Sequence, residues 1–350
     1  MPDLSSHDPN LVSNPDNNIF GLPTSEDTAR VIIVPVPWEV TVSYAAGTAR
    51  ASDAILKASF QIDLYDPEVP DGWKQGFFMR PADRKILMKS DYLRKEAELY
   101  IDYISKGEKL EANQFMSKTL VEVNEGSEHL NKWVYEQTKA LLNKNKLVGM
   151  LGGDHSTSFG FFKAIAEKHG SFGILQIDAH CDLREAYESF NYSHASVMYN
   201  TLHEIPEMQK LVQVGIRDFS ESEWQFINKN SSRVVTYFDK DIRRRQFEGD
   251  SWKQIAEEIV SQLPEKVFIS FDIDGLDPKL CPNTGTPVPG GFETEQVFYL
   301  FSNVIQSGRK LAGFDLNEVG VGEGDWDANV GARVLFKLCN LLVASNTANP

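Results

Sequence analysis

Phe172-Gly173-Ile174-Leu175-Gln176-Ile177, followed at once by Asp178-Ala179-His180-Cys181-Asp182, decides how this chain folds. A nearly continuous apolar run that stops at an acid is the pattern of a strand covered on both faces and opening into a polar loop. The pattern recurs at residues 31–36, 147–151, 211–216, 234–238, 267–271 and 311–316. Helical patterns lie between these runs, for example at 158–168, 251–263 and 294–306. Strand and helix in alternation build βαβ units, hence a mainly parallel sheet with helices on both sides. The expected fold class is α/β.

Residues 65–145 break the rhythm. An aromatic, proline-containing stretch (Pro67, Pro70, Trp73, Phe77, Phe78) precedes charged helical sequence at 91–104 and 128–142. We read it as an excursion at one edge of the sheet, over the site or at an oligomer contact, with plain surface helices as the equal alternative. The polar start of the chain (residues 1–18) has neither the basic head nor the apolar run of a signal peptide, and no membrane span follows it. The expected organisation is a flexible lead-in over 1–28 and one domain over 29–346.

Composition narrows the partners. Apolar residues make up 41% of the 350 and charged residues 24%, ordinary for a chain with a substantial core. With 35 basic and 50 acidic residues the net charge is −15, which excludes nucleic acid and anionic membrane as natural partners and suits a small cation. Three cysteines are too few for a disulfide framework, and a reducing cytoplasm is the expected compartment.

Three segments carry the chemistry, each at the C-terminal end of an expected strand, where ligands bind in open α/β sheets. They are Gly152-Gly153-Asp154-His155-Ser156, Asp178-Ala179-His180-Cys181-Asp182, and Asp272-Ile273-Asp274-Gly275-Leu276-Asp277-Pro278. On extended backbone, residues two apart share a side. Asp178, His180 and Asp182 can therefore converge, as can Asp272 and Asp274, with His155 beside them. One such pair alone is usually a turn or a cap. Three of them, each following a buried strand, would leave several buried charges unpaired without a metal, at several kcal/mol apiece. Six donors exceed the needs of one ion, and carboxylates can bridge two. Oxygen donors dominate, which favours Mn²⁺ over Zn²⁺. Cys181 is expected to point away from the cluster.

These three segments resemble the signatures of the ureohydrolase superfamily of arginases, agmatinases and formimidoylglutamases, in the same order and at similar separations. The resemblance runs from Gly47-Thr48 through Thr284-Gly285-Thr286-Pro287 and Gly290-Gly291 to Glu318. It implies a three-layer α/β/α sandwich and two Mn²⁺ per chain, with Ni²⁺ or Co²⁺ as alternatives, held by His155, Asp178, His180, Asp182, Asp272 and Asp274. It further implies that Asp182 hydrogen-bonds a metal-bridging hydroxide, that His194 shuttles the proton, and that Glu318 grips the guanidinium. Hydroxide attack on a guanidino C–N bond would release urea and an amine. The resemblance also implies a homotrimer or homohexamer.

The loop from Asp182 to Met198 and Gly215-Ile216-Arg217-Asp218 with Glu223-Trp224 look most like agmatinase-type members, and the Ser-Gly-Asn stretch of arginases is missing. Three features depart from the family: Gln296 in place of an acid, Val319-Gly320-Val321-Gly322-Glu323-Gly324 in place of Asn-Pro, and the 65–145 segment. The expected activity is agmatinase-like. The alternatives are a formimidoylglutamase, a hydrolase of guanidine or another guanidino acid, and a non-catalytic metal-binding paralogue.

Overall fold

A computed structural model describes Leu4 and residues 7–347 of the chain. The sheet is built from β1 (Val31–Pro35), β2 (Phe77–Met79), β3 (Leu147–Leu151), β4 (Phe172–Ile177), β5 (Met208–Ile216), β6 (Val234–Phe238), β7 (Lys266–Asp272) and β8 (Lys310–Asn317). Their order is β2-β1-β3-β8-β7-β4-β5-β6, and every neighbouring pair is parallel. The helices are α1 (Ala51–Ser59), α2 (Arg84–Ser105), α3 (Gln114–Asn143), α4 (Ser158–His169), α5 (Val197–Glu204), α6 (Glu221–Lys229), α7 (Asp239–Phe247), α8 (Trp252–Ser261), α9 (Thr294–Gln306) and α10 (Trp326–Asn346).

Apolar runs without alternation bury both faces of these strands. In β1, Val31 and Ile33 enter one core with side chains of α1, α7, α8, α9 and α10, while Ile32 and Val34 enter the other with α2 to α6. The result is the three-layer α/β/α sandwich. Edge-to-face aromatic packing locks the layers; Phe161 and Phe162 of α4 both stand 5.0 Å from the ring of Phe268 in β7. Helix α10 is long and apolar enough to cross a membrane, but 72% of that stretch is buried inside the fold as a core helix.

The 65–145 segment contributes more than an excursion. Phe77–Met79 adds an eighth strand alongside β1, too short to stand out in sequence. Its helices also begin earlier than expected, at Arg84 and Gln114, because the caps lie upstream. The Asp83 carboxylate accepts from the amides of Lys85 (2.8 Å) and Ile86 (3.1 Å), and Asn113 does the same for Phe115 (3.1 Å) and Met116 (3.3 Å). Part of the expected flexible lead-in is packed as well. Ile19, Phe20 and Leu22 are fully buried, and Phe20 stacks edge-on against Phe77 and Phe336. A short apolar run inside a polar segment gains enough from burial, about 1.5–3 kcal/mol per large side chain, to dock. Residues 1–3, 5 and 6, also within that expected lead-in, lie outside the described residues.

Candidate metal centre and substrate pocket

β3, β8, β7 and β4 lie side by side in the sheet, and the chain leaves β7 toward β8 on one side and β4 toward β5 on the other. The crevice lies beyond the C-terminal ends of these four strands. Each of the three motifs delivers its side chains there.

His155 follows Gly152-Gly153, where any side chain at Gly153 would strike the Trp38 carbonyl oxygen, 1.8 Å from an added Cβ. Its Nδ1 faces Asp182 (3.0 Å), Asp178 (3.2 Å) and Asp272 (3.3 Å). His180 Nδ1 faces Asp274 (2.9 Å) and Asp178 (3.6 Å). The expected six residues therefore come together in one cluster with two lobes. His155, Asp178 and Asp182 form one lobe and Asp178, His180 and Asp274 the other, with ligand atoms within 4.8 Å of one another in each. Asp178 belongs to both. Cys181 is fully buried in the core on the side of the sheet covered by α2 to α6, as its place between two residues of the cluster suggests.

The neighbours aim these side chains. His155 Nε2 lies 2.9 Å from Ser270 Oγ, and that hydroxyl donates to Asp315 Oδ1 at 2.9 Å. Nε2 must then carry a proton, so that once Nδ1 gives up its own proton the lone pair left there faces the cluster. Gln176 donates to Asp178 Oδ2 (2.8 Å), the His180 amide to Asp178 Oδ1 (2.6 Å), the Ala179 amide to Asp274 Oδ1 (2.9 Å) and the Asp274 amide to Asp272 Oδ1 (2.9 Å). Ser270, Asp315 and Gln176 escaped the sequence reading. A signal was present, since each is a polar residue inside an apolar strand run, and all three are fully buried.

The cluster suits divalent ions. His155 Nδ1 and Asp182 Oδ2 are buried and face each other at 3.0 Å without making a well-aligned hydrogen bond. Burial first, and the charge of Asp178 second, push Asp182 up to about 7. Burial, then Asp274 and Asp178, drive Asp272 well above the ordinary carboxylate range. Burial opposes charge on His155, yet Asp178, Asp182 and Asp272 outweigh it and hold its pKa well above the usual value. A group of buried acids that can be ionised together only at high cost, facing two imidazole nitrogens, is matched by positive ions bound among them.

Glu318 follows β8. Its φ of 61° lies in the left-handed region, a conformation costing a non-glycine residue about 1 kcal/mol or more. The surroundings hold it there. Its amide donates to the Gly153 carbonyl (2.9 Å), its carbonyl accepts from Thr284 Oγ1 (2.8 Å), and its Oε1 accepts from the His155 amide (2.8 Å). Oε2 is buried and has no partner. The departure after Glu318 is steric, because a side chain at Gly320 would collide with the Asn283 carbonyl oxygen, 1.7 Å from an added Cβ. Gln296 lies away from the cluster and closes the capping box at the start of α9.

A pocket of about 470 Å³ opens onto the cluster, lined by His180, Asp182 and His194 on its floor and by Tyr44, Arg184 and Asp218 among its walls. Burial, and then the charge on His180, lower the pKa of His194 to about 3, so its imidazole rests neutral. Arg217 is absorbed by the scaffold. Its guanidinium donates to the carbonyls of Gly215 (3.2 Å), Asp274 (2.6 Å), Leu276 (3.1 Å) and Val288 (3.0 Å).

The sequence profile of the arginase family matches residues 29–339. This chain belongs to the arginase family. It is a hydrolase of the ureohydrolase class, acting on linear amidines or guanidines. The N(1)-aminopropylagmatine ureohydrolase of Thermus thermophilus is 29% identical over 296 residues, which is 85% of this chain and 84% of that protein. The agmatinase of Bacillus cereus is 26% identical over 296 residues, 84% of this chain and 85% of that protein. The agmatine ureohydrolase of Thermoplasma volcanium superposes with a TM-score of 0.67 at 22% identity, covering 92% of this chain and 91% of the other, a likeness in fold.

Proposed function

We propose that the chain hydrolyses the guanidino C–N bond of a substrate with a cationic tail, using two Mn²⁺ ions, and releases urea and an amine. His155, Asp178, His180, Asp182, Asp272 and Asp274 would hold the ions, with Ni²⁺ or Co²⁺ as substitutes of similar preference for such donors. When bound, the metal pair acidifies water so that hydroxide is available at neutral pH.

The observation that carries the reading is the unpartnered Oε2 of Glu318, buried beside the cluster. A carboxylate so placed takes a planar cation by paired, charge-assisted hydrogen bonds. It would hold the guanidinium with its carbon above the cluster. Asp182 would accept a hydrogen bond from the attacking water and keep a lone pair directed at that carbon. A C–O bond forms, and the C–N bond to the amine then breaks. His194, neutral at the outset, takes the proton released by the water and returns it to the departing nitrogen.

The pocket wall speaks to the tail. The one arginine or lysine among its described lining residues, Arg184, sits 3.7 Å from the Glu223 carboxylate and stacks on Tyr187. Asp218 has no ion-pair partner there. Such a wall attracts an ammonium group, whereas the two carboxylates of formimidoylglutamate would meet an already paired arginine. Among the relatives, those of Thermus thermophilus and Bacillus cereus bear the names of substrates in the agmatine class. The three described thiols are free and buried, in keeping with a reducing cytoplasm. Assembly as a homotrimer or homohexamer is proposed from the family resemblance, and sedimentation velocity tests it.

The deciding assay gives Mn²⁺-loaded protein agmatine, aminopropylagmatine, arginine, guanidinobutyrate, guanidine and formimidoylglutamate, and identifies the products. Urea from the amine-tailed compounds supports the reading. Formamide or ammonia from formimidoylglutamate without urea would replace it with the formimidoylglutamase alternative.

A further inference from the structure

We propose that Thr41 is a positioning residue for His194, turning its imidazole so that Nε2 is the nitrogen presented to the departing amine; the inference rests on His194 carrying the proton. Thr41 lies in the loop after β1, which supplied none of the candidate site residues in sequence. It is fully buried.

Its hydroxyl oxygen accepts the backbone N–H of His194 at 3.1 Å and lies 3.5 Å from His194 Nδ1. The same oxygen is 3.5 Å from Asp154 Oδ2, which also accepts the Thr41 amide at 3.4 Å. A hydroxyl has one proton to give and two lone pairs to offer. Giving the proton to the Asp154 carboxylate leaves one lone pair for the His194 amide and one for an Nδ1–H. That bonding pattern places the imidazole proton on Nδ1 and frees Nε2 for the pocket. Ser193 Oγ lies on the same edge of the ring, 3.3 Å from Nδ1. Asp154 precedes His155, so one acid ties the support of the proton carrier to the metal cluster.

The loop is fixed on both sides of Thr41. The Arg94 guanidinium of α2 donates to the carbonyl of Val40 at 3.4 Å and to that of Val42. Ser90 of the same helix accepts the Glu39 amide at 3.1 Å, and Glu39 Oε2 in turn accepts the amides of Gly47 (2.6 Å) and Ala49 (3.2 Å). The long helices of the 65–145 segment thus brace this loop. A side chain held so firmly can set the direction of a neighbour that moves a proton.

Thr41→Val keeps the shape and removes the hydroxyl; Thr41→Ser keeps the hydroxyl. With agmatine, T41V should lower kcat about tenfold or more, within the roughly 10²- to 10⁴-fold contributed by positioned proton transfer. KM should stay within about twofold, and T41S should recover most of the rate. The defect should shrink with trifluoroethylguanidine, whose weakly basic leaving amine needs little protonation; a purely structural fault would slow both substrates alike. T41V combined with His194→Ala should be no slower than His194→Ala. Crystals of T41V should show the His194 ring turned while the six-residue cluster stays in place. Wild-type kcat in T41V, an equal loss on both substrates, additive effects in the double variant or an unmoved ring would each overturn the inference. Unchanged turnover in His194→Ala would instead overturn the proton-carrier reading, and this inference with it.

Discussion

Asp178 stands between the two imidazoles, its Oδ2 3.2 Å from His155 Nδ1 and its Oδ1 3.6 Å from His180 Nδ1. One carboxylate so placed can serve both lobes of the cluster, while Asp274 serves one. Asp178→Asn should therefore bring bound Mn²⁺ below one ion per chain, whereas Asp274→Asn should retain about one. Metal analysis after gel filtration checks this, and equal losses in the two variants would contradict the bridging role.

Glu318→Gln keeps the size and the Oε1 contact to His155 but gives up the charge facing the guanidinium. Metal content should stay at the wild-type level. The lost charge-assisted hydrogen bonds amount to about 2–3 kcal/mol, or roughly 30- to 150-fold in kcat/KM. Steady-state kinetics beside metal analysis make the test. Loss of metal would show that Glu318 supports the cluster instead.

Metal removal should make stability depend on pH in one direction. In the metal-free protein Asp182 has a pKa of about 7 against an ordinary 3.8, so the stability from its bound proton is fully present below 3.8 and lost as pH rises toward 7. Asp272, also raised, works in the same direction, and so do His155 and His180 as they lose protons above their ordinary value of 6.5. Asp178 is lowered because the two histidines outweigh its burial, and its opposite effect falls below pH 3.8. Ions displace these protons and hold the charges in place. The gap in Tm between Mn²⁺-loaded and chelator-treated protein should widen by a few degrees or more from pH 5 to pH 8. A constant gap would contradict this account of the cluster.

Asp218→Asn should raise KM for agmatine and leave KM for butylguanidine, which lacks the tail amine, nearly unchanged. An exposed pair of this kind contributes about 0.2–1 kcal/mol, so the expected rise is no more than roughly fivefold. Equal changes for the two compounds would remove Asp218 from tail recognition.

Much of this was legible in the sequence because the physics was local. β3, β4 and β6 begin and end where their apolar runs do, since both faces must be covered. Five of the six cluster residues could be named from two-residue spacing in Asp178-Ala179-His180-Cys181-Asp182 and Asp272-Ile273-Asp274, and His155 from its segment just after β3. What escaped depended on distant partners. β2 is three residues that become a strand only by pairing with Val31, Ile32 and Ile33. Thr41 gains meaning only beside Asp154 and His194, more than a hundred residues along the chain. Gln176, Ser270 and Asp315 were visible as polar interruptions of apolar strands, and buried polar residues of that kind need partners.

The most direct test of the central claim titrates metal-free protein with Mn²⁺ and follows urea release from agmatine against ions bound per chain. The account predicts no urea from the metal-free protein and a rate that saturates as the second ion binds. Full activity in the presence of chelator, or no urea from any amine-tailed guanidine with two ions bound, would contradict it.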